Sequence, residues 1–474
     1  MTKSNDKSFP KSFWVVWGVE FWERFGYYGV QAIIALYFVH HLGYTQKESF
    51  YIFGSFSAFV YGFVWLGGWI GDHYLGAKRT LLLGASILTL SYAALALSTK
   101  GTVFYALAAV VVGNALFKAN PSSLIAKIYN KDTGKLDGAM TMYYMAINLG
   151  SITSMVLTPI LAQSYGWPIA FALCSFGMAI GLMNYLVFNH HLAELTTPAG
   201  KVPLCLKKLS VTILGAVIGI VVIAHILSHI MLATIIVYTV VTVSLMYFLK
   251  IAFSLQGRER ARMLIAFFLI LEGILFFVMY NQMPTSLTFF AVHNINNHVL
   301  GMNITPAEYQ VLNPVVIVIM SPILAWVYRR WESTHVTKFC AGMTLCAFAF
   351  LVLGIPQYTS TTGLASPLWL VLTYFLQSTG ELLISGLGLA MVASLCPKER
   401  TGFVMGVWFL GAMLAGPLGA AVGALSSPPT GVTLTAAQSI VVYGHVFVLL
   451  GSITLTITAF MWATRPWFNK YIKD

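Results

Sequence analysis

Fourteen apolar stretches, each long enough to cross a lipid bilayer as a helix, follow one another along the chain with short polar breaks. A hydrocarbon layer about 30 Å thick takes about 20 residues at 1.5 Å rise each. Windows of that kind fall near 14–40, 49–71, 80–98, 103–128, 138–163 and 167–189, then near 209–228 and 231–252. Six more fall near 262–291, 309–329, 336–356, 366–395, 401–426 and 438–463. In lipid every backbone N–H and C=O has to be satisfied within its own segment, so each stretch is expected to be helical. A soluble fold is excluded, because 58% hydrophobic and 9% charged residues leave too little polar surface to face water. The first stretch is too long and too charged for a cleavable signal peptide, so none is expected.

The net charge of +12 raises the question of nucleic acid, and its placement answers it. Of the 27 Lys and Arg, Arg24 and Lys118 lie within helices, and Lys47 and Lys100 fall on one side of the expected membrane map. The other twenty-three fall on the opposite side, which by the positive-inside rule is the cytoplasm and places both termini there. The chain is therefore expected to be a multi-pass protein of the bacterial cytoplasmic (inner) membrane, partnered by the bilayer and not by nucleic acid. Five cysteines without CxxC spacing or metal-ligand companions read as core filler. No histidine pair sits at metal spacing within a helix, so no metal site is expected.

The windows divide into six helices, a two-helix insert and six more. The expected domains are an N-terminal six-helix bundle (1–195), a linker with two additional helices (196–256) and a C-terminal six-helix bundle (257–474). The polar Glu194–Lys201 stretch, with Pro198 and Gly200, suits a linker. Short basic hairpins before the fifth and the thirteenth helix form a faint internal repeat. Gly67-Gly68-Trp69-Ile70-Gly71-Asp72, followed by Lys78 and Arg79, resembles the loop signature of the major facilitator superfamily. That resemblance implies an all-α membrane protein of the major facilitator fold, with a ligand site near the midplane between the two bundles.

Ionisable residues inside the membrane are the exceptions that call for function. Each costs roughly 2.5–3.5 kcal/mol even on the mild insertion scale. Glu20, Glu23 and Arg24 lie in the first stretch, Lys118 in the fourth, Glu272 in the ninth and Glu381 in the twelfth. On a helix Glu20 shares a face with Glu23 and Arg24, and Arg24 shares one with Tyr27 and Tyr28. Four carboxylates face two cations, and desolvation favours the neutral form of an unpaired buried acid. At least one of the four is therefore expected to exchange protons, whereas static ion pairing is the plainer alternative. Glu272, near the cytoplasmic end of its helix, also suits a structural role.

Glu20-x-x-Glu23-Arg24-Phe25-x-Tyr27-Tyr28-Gly29 resembles the first-helix signature of the proton-dependent oligopeptide transporter family. Phe117–Ser122 and Tyr143-Tyr144-x-x-Ile147-Asn148-x-Gly150-Ser151 resemble further motifs of that family. So do Glu381-Leu382-x-x-Ser385 and Gly406-Val407-Trp408-Phe409-Leu410, and the match spans nearly the whole chain. The resemblance implies a proton-coupled symporter importing di- and tripeptides by alternating access, not an enzyme. It implies no cofactor, a proton gradient as energy source, peptide-like drugs as further ligands, and a monomer. Arg24 and Lys118 would attract the peptide carboxylate and Glu381 would bind its amino terminus. Tyr27, Tyr28, Tyr61, Asn148, Gln282, Asn313, Ser385 and Trp408 would line the pocket. Proton coupling would rest on Glu20, Glu23, Arg24, Lys118 and Glu272. Many members carry an acid where this chain has Asn281, and an Arg where it has Gln31, so coupling here leans on the first-helix cluster.

Two alternatives differ in what they require. A nitrate or small-anion symporter needs no partner for an ammonium group, which leaves Glu381 without use. A membrane-embedded enzyme needs a nucleophile–base or metal arrangement, and the sequence offers none.

Overall fold

A computed structural model describes residues 9–129, 133–195, 197–299, 301–330, 334–429 and 431–472. The outer bounds of the expected domains, at residues 1, 196 and 474, lie outside the described residues. Fourteen long helices follow in chain order. They are α1 (Lys11–His40), α2 (Gln46–Tyr74), α3 (Ala77–Ala96), α4 (Val103–Ile128), α5 (Thr133–Tyr165), α6 (Trp167–Phe188) and α7 (Leu206–Ser228). The others are α8 (Ile230–Ser254), α9 (Gly257–Asn294), α10 (Pro306–Arg330), α11 (His335–Thr359), α12 (Leu368–Ser394), α13 (Thr401–Ala424) and α14 (Ala436–Ile472). Thirteen of them are long and apolar enough to cross a membrane by length and composition. The fourteenth, α1, has the length but carries Glu20, Glu23 and Arg24 within it. The protein is an all-α membrane protein; among the described residues the β-structure is a hairpin pairing His298–Val299 with Met302–Asn303 and a bridge from Ile295 to Ala365.

Local chemistry sets the ends and bends. At the start of α2 the Thr45 hydroxyl accepts from the Glu48 N–H, and the Glu48 carboxylate accepts from the Thr45 N–H at 2.8 Å, a reciprocal cap. The glycine-rich end of α2 widens into a π-turn over Ile70–Tyr74. Another π-turn, Met283–Leu287, starts beside Pro284 within α9, where the ring cannot donate to the ladder.

The chain forms two compact units. One holds the chain up to Val30 and Phe63–His225; the other holds Gln31–Gly62 and the chain from Ile226 onward. The first therefore contains the charged half of α1, and the second contains the first seventeen residues of α2, Gln46–Gly62. Within the second unit Gly54 of α2 lies against Gly416 of α13, so closely that an added Cβ would stand 2.4 Å from the Gly416 carbonyl. Small residues let these two backbones meet. Gln46 donates to the Tyr443 hydroxyl at 2.7 Å and Gln310 to the Ala32 carbonyl at 3.0 Å, so buried polar groups tie the same unit together.

Candidate functional site

In the first unit the site is built on α1. Glu20, Glu23 and Arg24 are all buried, at 3%, 0% and 2% exposure, far below what isolated charges tolerate. The Arg24 Nε donates to Glu23 Oε2 and stands 3.3 Å from Glu20 Oε1. The i+3 and i+4 spacing read from the sequence thus becomes a three-residue ion cluster. Neutral groups complete it. Asn114 of α4 donates to Glu23 Oε1 at 3.3 Å, and Tyr143 of α5 hydrogen-bonds Glu20. The Arg24 guanidinium lies 5.3 Å from the Tyr27 ring centroid and 5.9 Å from that of Tyr28, within cation–π range. Its Nη2 and Glu20 Oε2 have no hydrogen-bond partner among the described residues.

Lys118 of α4 is partly buried and close enough to interact electrostatically with Arg24, Glu23 and Glu20. It lies one helical turn beyond Asn114, so one face of α4 presents both to α1. Gly150 of α5 brings that helix against α1: a Cβ there would lie 2.5 Å from the Phe21 carbonyl and 3.3 Å from the Arg24 Cβ. Asn148, two residues earlier, is 4% exposed and donates to the Tyr144 carbonyl at 2.9 Å.

The second unit holds a different arrangement. Asn313 of α10 donates to Glu381 Oε2 at 2.7 Å and to the Ser378 hydroxyl at 2.9 Å. Glu381 is partly buried on α12, and no cation pairs with it among the described residues. Ser385 follows one turn later on the same helix. Trp408 of α13, 5% exposed, packs flat into space left by glycine on two helices. A Cβ at Gly273 would meet its ring at 2.9 Å and one at Gly388 at 2.6 Å. Glu272, beside Gly273 on α9, is 1% exposed, and neither carboxyl oxygen has a hydrogen-bond partner.

Tyr61 belongs to this second unit, where it lines a small cavity with Gln31, Ser57 and Asn281. Asn281 accepts from the Ser57 hydroxyl at 3.3 Å. Gln282 is consumed by the scaffold: its amide donates to the Val278 and Gly419 carbonyls at 3.0 Å each and accepts from Ser286 at 2.7 Å. Among the described residues no three His, Cys, Asp or Glu side chains gather as a metal-holding group. The sequence reading gave no role to Asn114 or Ser378 and named Tyr143 only within a motif. Asn114 had a signal, as a buried amide one turn from Lys118, whereas Ser378 acquires a role only through contact with Asn313.

Buried charges on long membrane helices mark a site that binds protons, ions or a charged ligand within the membrane. The model described as "PTR2: POT family" matches residues 78–460. The dipeptide and tripeptide permease A of Escherichia coli K12 is 44% identical over 470 residues, covering 98% of this chain and 94% of the relative. The dipeptide and tripeptide permease B of Aeromonas hydrophila is 42% identical over 470 residues, covering 97% and 94%. A solved bacterial homologue of the human drug peptide transporters PepT1 and PepT2 superposes with a TM-score of 0.88 at 35% identity, covering 97% of this chain and 99% of that one. Tetrameric PepTSo2 gives 0.89 at 36% identity, covering 97% and 98%. The chain belongs to the POT family, the proton-dependent oligopeptide transporters of the major facilitator fold.

Proposed function

We propose that this chain is a proton-coupled symporter that imports di- and tripeptides across the bacterial cytoplasmic membrane by alternating access. Family membership and the permease relatives support it, and one observation of this molecule carries it. Two groups of this molecule match the two charges of a zwitterion. Arg24 keeps an unsatisfied Nη2 beside Tyr27, Tyr28 and Lys118 in the first unit, which suits a peptide carboxylate. Among the described residues Glu381 has only the neutral Asn313 amide as hydrogen-bonded side-chain partner in the second, which suits an ammonium group. A nitrate-type substrate leaves that carboxylate without a role.

Tyr27, Tyr28, Tyr61, Asn148, Asn313, Ser385 and Trp408 are the proposed pocket residues, and peptide-like drugs are further ligands. Gln282 is proposed to shape the pocket from behind, since its amide is taken by the scaffold. Protons are proposed to travel on Glu20, Glu23 and Glu272, with Arg24 and Lys118 exchanging carboxylate partners. The moving halves are the six-helix segments 1–195 and 257–474, and 196–256 is the insert. Both termini are proposed to face the cytoplasm. The chain works as a monomer without a cofactor, driven by the proton gradient. At 100 mV each translocated charge adds roughly 2.3 kcal/mol.

The test separates the ammonium contact from the rest. Dialanine affinity falls at least about thirtyfold in Glu381→Gln, since losing one partner of a buried charge contact costs roughly 2–5 kcal/mol. N-acetyl-dialanine, which lacks the ammonium, binds wild type weakly and loses nothing further in the variant. Unchanged dialanine affinity in Glu381→Gln contradicts the assignment.

A further inference from the structure

The first helix of the insert packs loosely. Only 17% of the most apolar window of α7 is buried, and an apolar cleft of about 690 Å³ separates it from α2 and α4. That volume lies within the roughly 300–1,000 Å³ of small-molecule sites. Leu66 and Trp69 of α2 and Val112 and Leu116 of α4 form its far wall. On α7 the lining includes three small residues, Gly215, Ala216 and Gly219, between apolar flanks such as Val211 and Val222. Glycines four apart in a membrane helix ordinarily allow another helix to approach closely. Here nothing approaches: a Cβ at Gly215 would meet no atom within 4 Å, and one at Gly219 only the Val112 side chain, at 3.6 Å. Glycine weakens a helix interior by about 1 kcal/mol relative to alanine. The two glycines therefore keep the space open.

The chemistry changes abruptly at Tyr74, which lines the apolar cleft. Lys208 at the start of α7 places its Nζ 5.2 Å from the Tyr74 ring centroid. Two residues on, Gly76 begins the wall of a smaller polar cleft of about 220 Å³, shared with Lys78, Arg79, Thr197 and Gly200. Arg79 donates to the Val202 carbonyl at 3.0 Å and Lys78 to the Leu192 carbonyl at 2.8 Å, so neutral groups hold both cations. Among the described residues none of Lys78, Arg79, Lys207 and Lys208 forms an ion pair, and nearby Asp72 is committed to Lys127 at 4.0 Å. Positive charge without an ion-pair partner among the described residues thus sits beside a hydrocarbon-lined cleft.

We propose that the α7 cleft is a binding site for one anionic phospholipid. An acyl chain fills the space beside Gly215 and Gly219, and the phosphodiester rests at Lys208, Tyr74 and Arg79. Such cations near a membrane surface contribute about 1 kcal/mol each toward an anionic lipid. Helix α7 is thereby held to α2 and α4 of the same unit through a lipid where direct helix packing is sparse. The site requires neither peptide nor proton, so it stands apart from the transport reading. Another copy of the chain is the less suitable occupant, because the glycine stripe turns toward a wall formed by its own α2 and α4.

Native mass spectrometry of the full chain in detergent, titrated with dioleoyl phosphatidylglycerol or dioleoyl phosphatidylcholine, tests this. One phosphatidylglycerol adduct is expected, forming at about tenfold lower concentration than the phosphatidylcholine adduct. Lys208→Gln lowers phosphatidylglycerol affinity about fivefold and leaves phosphatidylcholine unchanged. Gly215→Phe, which fills the cleft, weakens both lipids, while Lys47→Gln at the exposed start of α2 alters neither. Equal affinity for the two lipids, or full phosphatidylglycerol binding in Lys208→Gln, overturns the proposal. So does displacement of phosphatidylglycerol by an equal concentration of glycerol 3-phosphate, which means the acyl chain contributes nothing. Loss of a dimer in place of a lipid adduct in Gly215→Phe assigns the face to a second copy and also overturns it. Lys208→Gln, at the rim of the cleft, keeps the test decisive if Gly215→Phe does not fold.

Discussion

The acids of α1 and the acid of α9 are equally buried and opposite in company. Glu23 is met by Arg24 and Asn114, and Glu20 by Arg24 and Tyr143. Glu272 has no hydrogen-bond partner among the described residues. Glu381 stands between them, held by the one amide of Asn313. Burial alone therefore does not define what a membrane carboxylate does; the partner does. A cluster around one arginine can exchange partners as protons or ligand arrive, and removal of the arginine leaves both carboxylates uncompensated. A bare carboxyl contributes no packing energy that a hydrophobic side chain could not supply, which is why a proton role is proposed for Glu272.

The comparison can be broken most severely at Arg24. Arg24→Ala leaves two buried carboxylates facing each other and is expected to destabilise the protein by roughly 3–5 kcal/mol. Thermal unfolding in detergent reads this, and a wild-type melting curve would dissolve the cluster as a structural unit. Next comes Glu20→Gln, which keeps the shape of the side chain and removes its charge. Peptide exchange between equal pools continues, while accumulation driven by a pH gradient is lost. If the variant still concentrates peptide, Glu20 carries no coupled proton. The smallest stability effect belongs to Glu272→Met. Removing a group without partners is expected to stabilise by about 1 kcal/mol, in contrast to the α1 cluster. The same variant lowers the number of protons moved per peptide, read from the reversal potential. A destabilised Glu272→Met means that the carboxyl has a structural partner after all.

Hydropathy made the membrane helices legible, because lipid admits so few backbone conformations. It measured bilayer thickness and not helix length, which is why α14 runs to Ile472 where the apolar window stops near 463. The turns beyond carry Arg465, Trp467 and Lys470, residues suited to a membrane edge. Helix α1 was legible down to its face, since Glu20, Glu23 and Arg24 interact at helical spacing. Contacts across the chain were not. Asn313 and Glu381 are 68 residues apart, and no local pattern announces that they meet. The packing of α2 onto α13 depends on Gly54 and Gly416, two glycines among forty. Gln282 shows the reverse failure, because its attractive amide is absorbed by the Gly419 carbonyl of a distant helix.

The central claim joins peptide to proton, and one measurement addresses both. Purified protein in liposomes is given labelled dialanine with and without an inward pH gradient. The account predicts accumulation above the outside concentration only with the gradient, abolished by a proton ionophore. Equal uptake under the two conditions, levelling at the outside concentration, would contradict it.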